Sequence, residues 1–302
     1  MNTIAVFGAS GHIGTATVRR LGGSGASVRA VVSRTPADTR IEGAAAVMRA
    51  DLLDPQAVAA VVEGCDGVQV IFPLSPAAKD PGAVMAGFVT SLAQALRAFP
   101  SLPVLAVSDY GAQTPSGTGI PALFHQIEVR LGELPNPLTF VRSAEHMHNW
   151  ARQLPVALKT EALASPHQPL DRPLPMVHAA DVGAITAEIL LSAPPQGGSP
   201  RVVHVEGPRR YTAREVASAL AEVTGTDITA RELPREEWEP TVTAAGATPA
   251  FAKLNAEFFD AHNRGLIQPP AGADVRHGST PLNDALAFAI NSIGADRQTA
   301  RR

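Results

Sequence analysis

The stretch TIAVFGASGHIG, from Thr3 to Gly14, decides the fold of this chain. Thr3–Phe7 is an apolar, largely β-branched run of strand length, and a helical stretch follows through about Leu21. Between them Gly8, Gly11 and Gly14 are spaced GxxGxxG. Gly8 permits a tight exit from the strand. Gly11 lets the backbone approach a pyrophosphate, and Gly14 lets the helix pack close to the sheet. The helix start adds free N–H groups and a partial positive charge. Ser10, His12 and Ile13 belong to the same turn and are read with it as dinucleotide-contacting residues. Gly-rich turns also arise for structural reasons alone; the strand before and the helix after favour the dinucleotide reading.

Outward from this turn the pattern repeats. Val28–Val32, Ala46–Arg49, Val68–Phe72, Pro103–Val107 and Leu138–Val141 read as further strands. Helices fall near Ala83–Ala98 and Pro121–Leu131, and after Asp54, whose carboxylate can cap a helix that Pro55 opens. Alternating strands and helices with right-handed crossovers give an α/β fold, a doubly wound parallel sheet of the extended Rossmann type.

The pattern changes after about Trp150. Residues 154–175 are Pro-rich and poorly periodic, and read as an irregular loop at a ligand cleft. Asp181–Leu191 reads as a helix and Val202–Val205 as a strand, and Thr212 and Glu215 have capping-box spacing. Ala247–Gly265 reads as a terminal amphipathic helix, and the tail from Ala295 as mobile. The chain thus divides into a Rossmann core, 1–150, and a mixed α+β part, 151–302. The second part is expected to form a smaller substrate lobe and to return some elements to the core sheet.

Composition excludes several functions. With 302 residues, 45% hydrophobic and 18% charged, the chain is a folded globular protein. Lys+Arg is 25 and Asp+Glu is 28, so no basic excess draws nucleic acid or a membrane surface. Aromatics at 5% do not suit a base-stacking surface. The single cysteine, Cys65, excludes an internal disulfide and a cysteine-built zinc site, and reads as a small buried residue. No apolar stretch is long enough to span a membrane, and no basic segment precedes the first apolar run. The expectation is a cytoplasmic protein with a small-molecule substrate.

The second strand bears on which dinucleotide. NAD-binding forms place an acidic residue about 20 residues beyond the glycines to hold the ribose. Val32-Ser33-Arg34-Thr35 stands there instead, without a carboxylate. Arg34 can pair with a 2′-phosphate and Ser33 can donate to it, so NADP(H) is expected over NAD(H). The other reading leaves Arg34 a solvated loop residue. Asp51 and Leu52 follow the third strand and either edge the adenine or simply form a turn. Phe72, Pro73 and Leu74 follow the fourth strand and either flank the ribose and phosphates or pack as an ordinary loop.

Taken in order, these segments resemble the NmrA-like family of atypical short-chain dehydrogenase/reductases. The resemblance runs through TIAVFGASGHIG, VRAVVSR, RADLLDPQAV, CDGVQVIFPLSP and VLAVSDYGA, then MVHAADVG and VEGPRRYTAREVASALAEVTG. It includes a dispersed pattern matched at Glu128, Leu131, Thr139, Arg142, His146 and Asn149, and covers most of residues 1–265. The resemblance implies an extended Rossmann fold with NAD(P)H and a C-terminal substrate lobe. It also implies a choice. Some members reduce quinones, dyes, other small acceptors or natural-product intermediates, whereas others bind the cofactor as regulators or redox sensors.

Short-chain dehydrogenases pair a Tyr with a Lys four residues later to move a proton. The two tyrosines here, Tyr110 and Tyr211, are followed at that spacing by Thr114 and Glu215. The lysine that many family members carry four residues before the matched Glu128 is Phe124. Alcohol dehydrogenation of the Tyr/Lys type is therefore disfavoured, while hydride transfer, which the cofactor carries, is not. Candidate catalytic residues are Tyr110 and Ser108 at the fifth strand, and His125 at the following helix. Tyr110 could instead pack on the nicotinamide, and His125 could be an ordinary helix histidine. His146, Met147 and Trp150 line the substrate side in one reading and pack the lobe in the other. His146 and His148 lack an evident third ligand, so no metal is expected.

The expected function is an NADPH-dependent reductase passing hydride to a small, largely apolar acceptor such as a quinone-like compound. The alternative is a non-catalytic NADP(H)-binding redox sensor with a regulatory protein partner. An epimerase with tightly held cofactor is a third reading. A homodimer is compatible with each.

Overall fold

The computed structural model describes residues 2–33, 39–196 and 198–299. The first half runs β1 (Thr3–Phe7), α1 (His12–Gly23), β2 (Ser27–Val32), β3 (Ala46–Arg49) and α2 (Pro55–Val62). It continues β4 (Gly67–Ile71), α3 (Pro81–Leu96), β5 (Val104–Asp109), α4 (Ile120–Gly132) and β6 (Leu138–Ser143). The second half opens with β7 (Glu145–His146), a 3-10 turn (Met147–Gln153), α5 (Leu154–Thr160), β8 (Ala162–Ser165) and β9 (Met176–Val177). Then come α6 (Ala179–Leu191), β10 (Arg201–Glu206), α7 (Ala213–Thr224) and β11 (Thr229–Glu232). The remainder is α8 (Trp238–Ala244), α9 (Pro249–Asn263), β12 (Asp274–His277) and α10 (Leu282–Thr299).

Eight strands form one sheet in the order β12-β10-β6-β5-β4-β1-β2-β3. Every neighbouring pair in it is parallel. Parallel strands covered on both faces must be apolar throughout rather than alternating, which is why runs such as TIAVF and VLAV carry no polar face. Helices α2, α3 and α4 cover one face through Val58, Val61, Phe88, Leu92, Ile127 and Leu131. On the other face α1 and α6 pack through Val18, Leu21, Val182 and Ile185. The order of connection reverses between β1 and β4, so the crevice at their carboxyl ends is the switch point where ligands bind in such sheets.

Local chemistry sets the helix starts. Asp54 Oδ1 accepts the N–H groups of Gln56 and Ala57 at 2.9 and 3.2 Å, capping α2. Thr212 and Glu215 cap α7 reciprocally, as their spacing predicts. Helices α1 and α6 approach closely because residue 183 is glycine: a Cβ there would lie 2.6 Å from Ile13 O. A buried polar chain ties the pair to the sheet. Gln69 Nε2 donates to Thr17 Oγ1 at 3.0 Å, and Thr17 Oγ1 lies 3.0 Å from Thr186 Oγ1.

Several expectations for the second half need correction. Residues 154–175 are not one irregular loop: they contain α5 and β8, and β8 pairs with β11 in a separate two-stranded parallel sheet. Short elements beside prolines show too little periodicity to be read. Helix α9 is amphipathic as expected but is not terminal, because β12 and α10 follow it. Strand β12 is exposed or half-buried at the sheet edge, so DVRH lacks a strand's apolar signature. The tail from Ala295 continues α10 through Thr299, and residues 300–302 lie outside the described ones. The return of the later chain to the main sheet is made by β10 beside β6 and β12 beside β10. A second core joins Met147, Trp150, Leu154, Leu163, Tyr211, Val216, Leu220 and Leu286. Among the described residues no helix is long and apolar enough to cross a membrane.

Candidate functional site

The carboxyl end of β1 meets the start of α1 in the glycine turn. Gly8 has φ 81°, a left-handed conformation that disfavours side chains, and a Cβ there would press on Ile71 Cβ at 3.0 Å. At Gly14 a Cβ would sit 2.2 Å from Gly8 O and 2.8 Å from Ala9 Cα, so α1 can start against the strand exit only with glycine. A Cβ on Gly11 would meet only Gly8 O, at 3.4 Å, and Ser10, Gly11 and His12 are solvent-exposed. Gly11 is the N-cap of α1 and supplies no side-chain cap. The first-turn N–H groups of His12, Ile13 and Gly14 therefore have no partner within the helix. The turn is open, electropositive and unobstructed, a cradle that fits a diphosphate.

The other expected cofactor residues follow β2, β3 and β4 in the chain. Ser33 is exposed at the end of β2, and Arg34 lies outside the described residues. Asp51 Oδ1 accepts the Leu53 N–H at 2.9 Å, and Leu52 is buried in the core under α2. After β4, Phe72 is buried, Leu74 half-buried and Pro73 exposed. A cavity of about 160 Å³ opens at the opposite, amino edge of the sheet, between Asp66, Pro103, Pro137 and Arg201. It faces away from the glycine turn, and open α/β sheets bind ligands at the carboxyl edge; the site is therefore placed at the turn.

The three candidate proton donors are each already engaged. Ser108 Oγ donates to Glu128 Oε1 at 2.6 Å. Glu128 in turn receives Arg142 Nε at 3.0 Å and Nη2 at 2.6 Å, a two-pronged ion pair with both residues 8% exposed. Arg142 Nη1 reaches Gln113 Oε1 at 3.1 Å. The family-like residues Glu128 and Arg142 are thus a buried brace between α4 and β6. Tyr110, 2% exposed, donates its hydroxyl to Glu206 Oε1, which also receives Arg210 Nη2 at 2.8 Å. Burial and the Glu206 carboxylate both push the Tyr110 phenol upward. Burial opposes ionisation of Glu206, yet the hydrogen bonds from Arg210 and Tyr110 outweigh it and hold the carboxyl below its usual range. His125 Nδ1 lies 2.8 Å from Ala112 O.

Asp109, between Ser108 and Tyr110, is a carboxyl displaced toward neutrality. Burial pushes it up to about 7 from 3.8; the Gly111 N–H, 3.1 Å away, counters, and Glu128 and Glu145 push further. A raised carboxyl costs stability once the unfolded chain ionises, and the cost grows until the folded group ionises too. Asp109→Asn is therefore expected to raise the melting temperature by an amount that grows from about pH 4 to about pH 7 and then levels off. Melting curves across that range test this; a pH-independent gain would contradict it.

Of the residues expected at the substrate, Met147 and Trp150 are buried in the lobe core, 0% and 2% exposed. His146 instead joins a group of histidines beside the glycine turn. The His12 and His148 rings lie 4.4 Å apart, and His146 stacks on His148 at 5.3 Å. His148 and His178 carry no mark in the sequence that would assign them to this group; they come together only through the β7–β9 pairing. Among the described residues no three His, Cys, Asp or Glu side chains converge to hold a metal ion.

A doubly wound parallel sheet with a glycine turn at its switch point defines a Rossmann-like protein. The chain belongs to the NmrA-like family, whose model matches residues 1–274. No curated protein sequence matches it. Among solved structures it is similar to a nucleoside-diphosphate-sugar epimerase from Staphylococcus aureus, with a TM-score of 0.75 and 20% identity, covering 95% of this chain and 100% of that one. It is also similar to an NADPH-dependent quinone oxidoreductase from Escherichia coli complexed with NADPH, with a TM-score of 0.75 and 20% identity over 94% and 99% of the two chains. The Citrobacter sp. triphenylmethane reductase complexed with NADP(H) gives 0.73 and 19% over 95% and 99%. At these identities the likeness is one of fold.

Proposed function

We propose that the protein is an NADPH-dependent reductase that delivers hydride to a small, largely apolar acceptor such as a quinone-like compound. The observation that carries the reading is the open glycine turn, with the first-turn N–H groups of α1 free beneath it. Membership of the NmrA-like family supports it, as do the quinone oxidoreductase and the triphenylmethane reductase that share this fold. The cofactor supplies the hydride when bound. The protein's share is to hold and orient. Gly8, Gly11 and Gly14 let the backbone meet the diphosphate, with Ser10, His12 and Ile13 beside it. Asp51, with Leu52 packed behind it, edges the adenine, and Pro73 and Leu74, with Phe72 packed behind them, flank the ribose. Preference for NADP(H) rests on Arg34, with Ser33, and on the missing carboxylate after β2. His146, with Met147 and Trp150 behind it, borders the acceptor.

Ser108, Tyr110 and His125 act in this reading by positioning, since each proton is already hydrogen-bonded within the fold or lies against a carbonyl. That engagement favours the second reading, a cofactor-binding redox sensor with a protein partner. NADPH consumption with a panel of quinones and dyes separates the two. The reductase reading expects turnover with some acceptors, faster with NADPH than NADH, and a smaller difference in Arg34→Ala. Tight NADP(H) binding without turnover of any acceptor would overturn it.

A further inference from the structure

Four histidines from separate parts of the chain meet beside the glycine turn. His12 opens α1 and is itself a residue of the turn. His148 lies against it, with ring centroids 4.4 Å apart, and His146 stacks on His148 at 5.3 Å. His146 Nε2 is 3.0 Å from Ser143 Oγ. His178, the N-cap of α6, has a buried Nδ1 without a partner, and the Phe288 ring of α10 packs edge-on against it at 5.7 Å.

The charged groups that act on this cluster are few. Arg152 reaches it from the 3-10 turn, and Asp181 from α6. Asp181 is itself occupied, accepting the N–H and the hydroxyl of Thr280, both at 2.9 Å. Burial, then the neighbouring imidazoles and Arg152, hold His146 down at about 4 and His148 down at about 2. Burial lowers His178 too, against the pull of Asp181. Near neutral pH His146, His148 and His178 therefore store unfilled proton sites beside the glycine turn, with no free carboxylate among the described groups that act on them.

We propose that the histidines packed behind the turn, His146, His148 and His178, take up a proton from solvent when the phosphates of a dinucleotide bind the glycine turn, so that they are part of the phosphate site. The inference rests on the dinucleotide reading above. A phosphate seated on the turn brings negative charge to the start of α1, where the His12 ring lies against His148, and that charge favours an imidazolium among His146, His148 and His178. The sign follows from linkage. A group that holds its proton more tightly in the complex strengthens binding at low pH, and the gain is lost as pH rises through its value in the complex. Each proton fully taken up weakens affinity by about tenfold per pH unit.

Calorimetric titration with NADH tests this, because its diphosphate is ionised throughout the range and reports on the protein alone. Paired buffers of different ionisation heat give the protons taken up. The wild-type protein is expected to take up a measurable fraction of a proton, and its Kd to rise about two- to fivefold per pH unit between about pH 4.5 and about pH 6.5, the range that opens when a nearby phosphate lifts His146 above about 4. His148→Asn and His12→Asn should each lower the uptake by at least half and flatten the profile. His12 is exposed, so its variant keeps the fold. NADH binding without buffer-dependent heat, or uptake unchanged in both variants, would overturn the proposal. Absence of binding by NADH and by NADPH at every pH would instead overturn the dinucleotide reading, and the proposal with it.

Discussion

Gly14→Ala is expected to weaken NADPH binding by about a hundredfold, roughly 2.7 kcal/mol, and to lower thermal stability as well. The methyl group would sit 2.2 Å from Gly8 O and 2.8 Å from Ala9 Cα. Both are backbone atoms and cannot rotate away as a side chain would. The start of α1 must therefore move off the exit of β1, carrying with it the N–H groups of His12 and Ile13 that face the turn. Overpacking of this kind costs about 1–3 kcal/mol where a core can adjust. Here the adjustment falls on the phosphate cradle, so affinity suffers with stability. Titration of NADPH into wild type and variant, with melting curves to show that both are folded, measures the effect. A folded variant with unchanged affinity would show that the turn does not seat the diphosphate.

The second large effect concerns stability. Glu128→Ala is expected to destabilise the protein by about 3–5 kcal/mol, because it strands a buried guanidinium. Arg142 is 8% exposed and, among the described residues, keeps only Gln113 as a side-chain partner once the carboxylate is gone, while Ser108 loses its acceptor. The pair itself contributes less than its breaking costs, since both ions lost water on burial. Glu128→Leu combined with Arg142→Met should accordingly lose far less than either single removal. Denaturant unfolding of the two single variants and the double variant checks this. A Glu128→Ala protein within about 1 kcal/mol of wild type would contradict the brace.

The first half of the fold was readable because its signals are local. Runs such as TIAVF and VQVI are too short and too apolar to be anything but buried strands, and Asp54-Pro55 and Thr212…Glu215 announce helices by hydrogen bonds made within three residues. What failed was non-local. The β8 strand ALAS acquires its identity from β11, more than sixty residues on, and DVRH from β10. The site divides in the same way. The glycine turn is contiguous and could be read residue by residue. Ser108, Tyr110 and His125 stand at the right edge of the sheet, yet the partners that occupy them, Glu128, Glu206 and Ala112 O, are set by strand order and helix placement. The histidine cluster draws on positions 12, 146, 148 and 178, which no spacing rule connects.

On the proposed function, the chain holds NADPH in one orientation and passes its hydride to an acceptor. The most direct measurement is the rate of acceptor reduction with NADPH carrying deuterium on one or the other face of nicotinamide C4. A cofactor fixed by the glycine turn presents a single face. Deuterium is expected to slow the reaction on one face and to leave it unchanged on the other. Equal slowing from both faces, or bound NADPH that no acceptor oxidises, would contradict it.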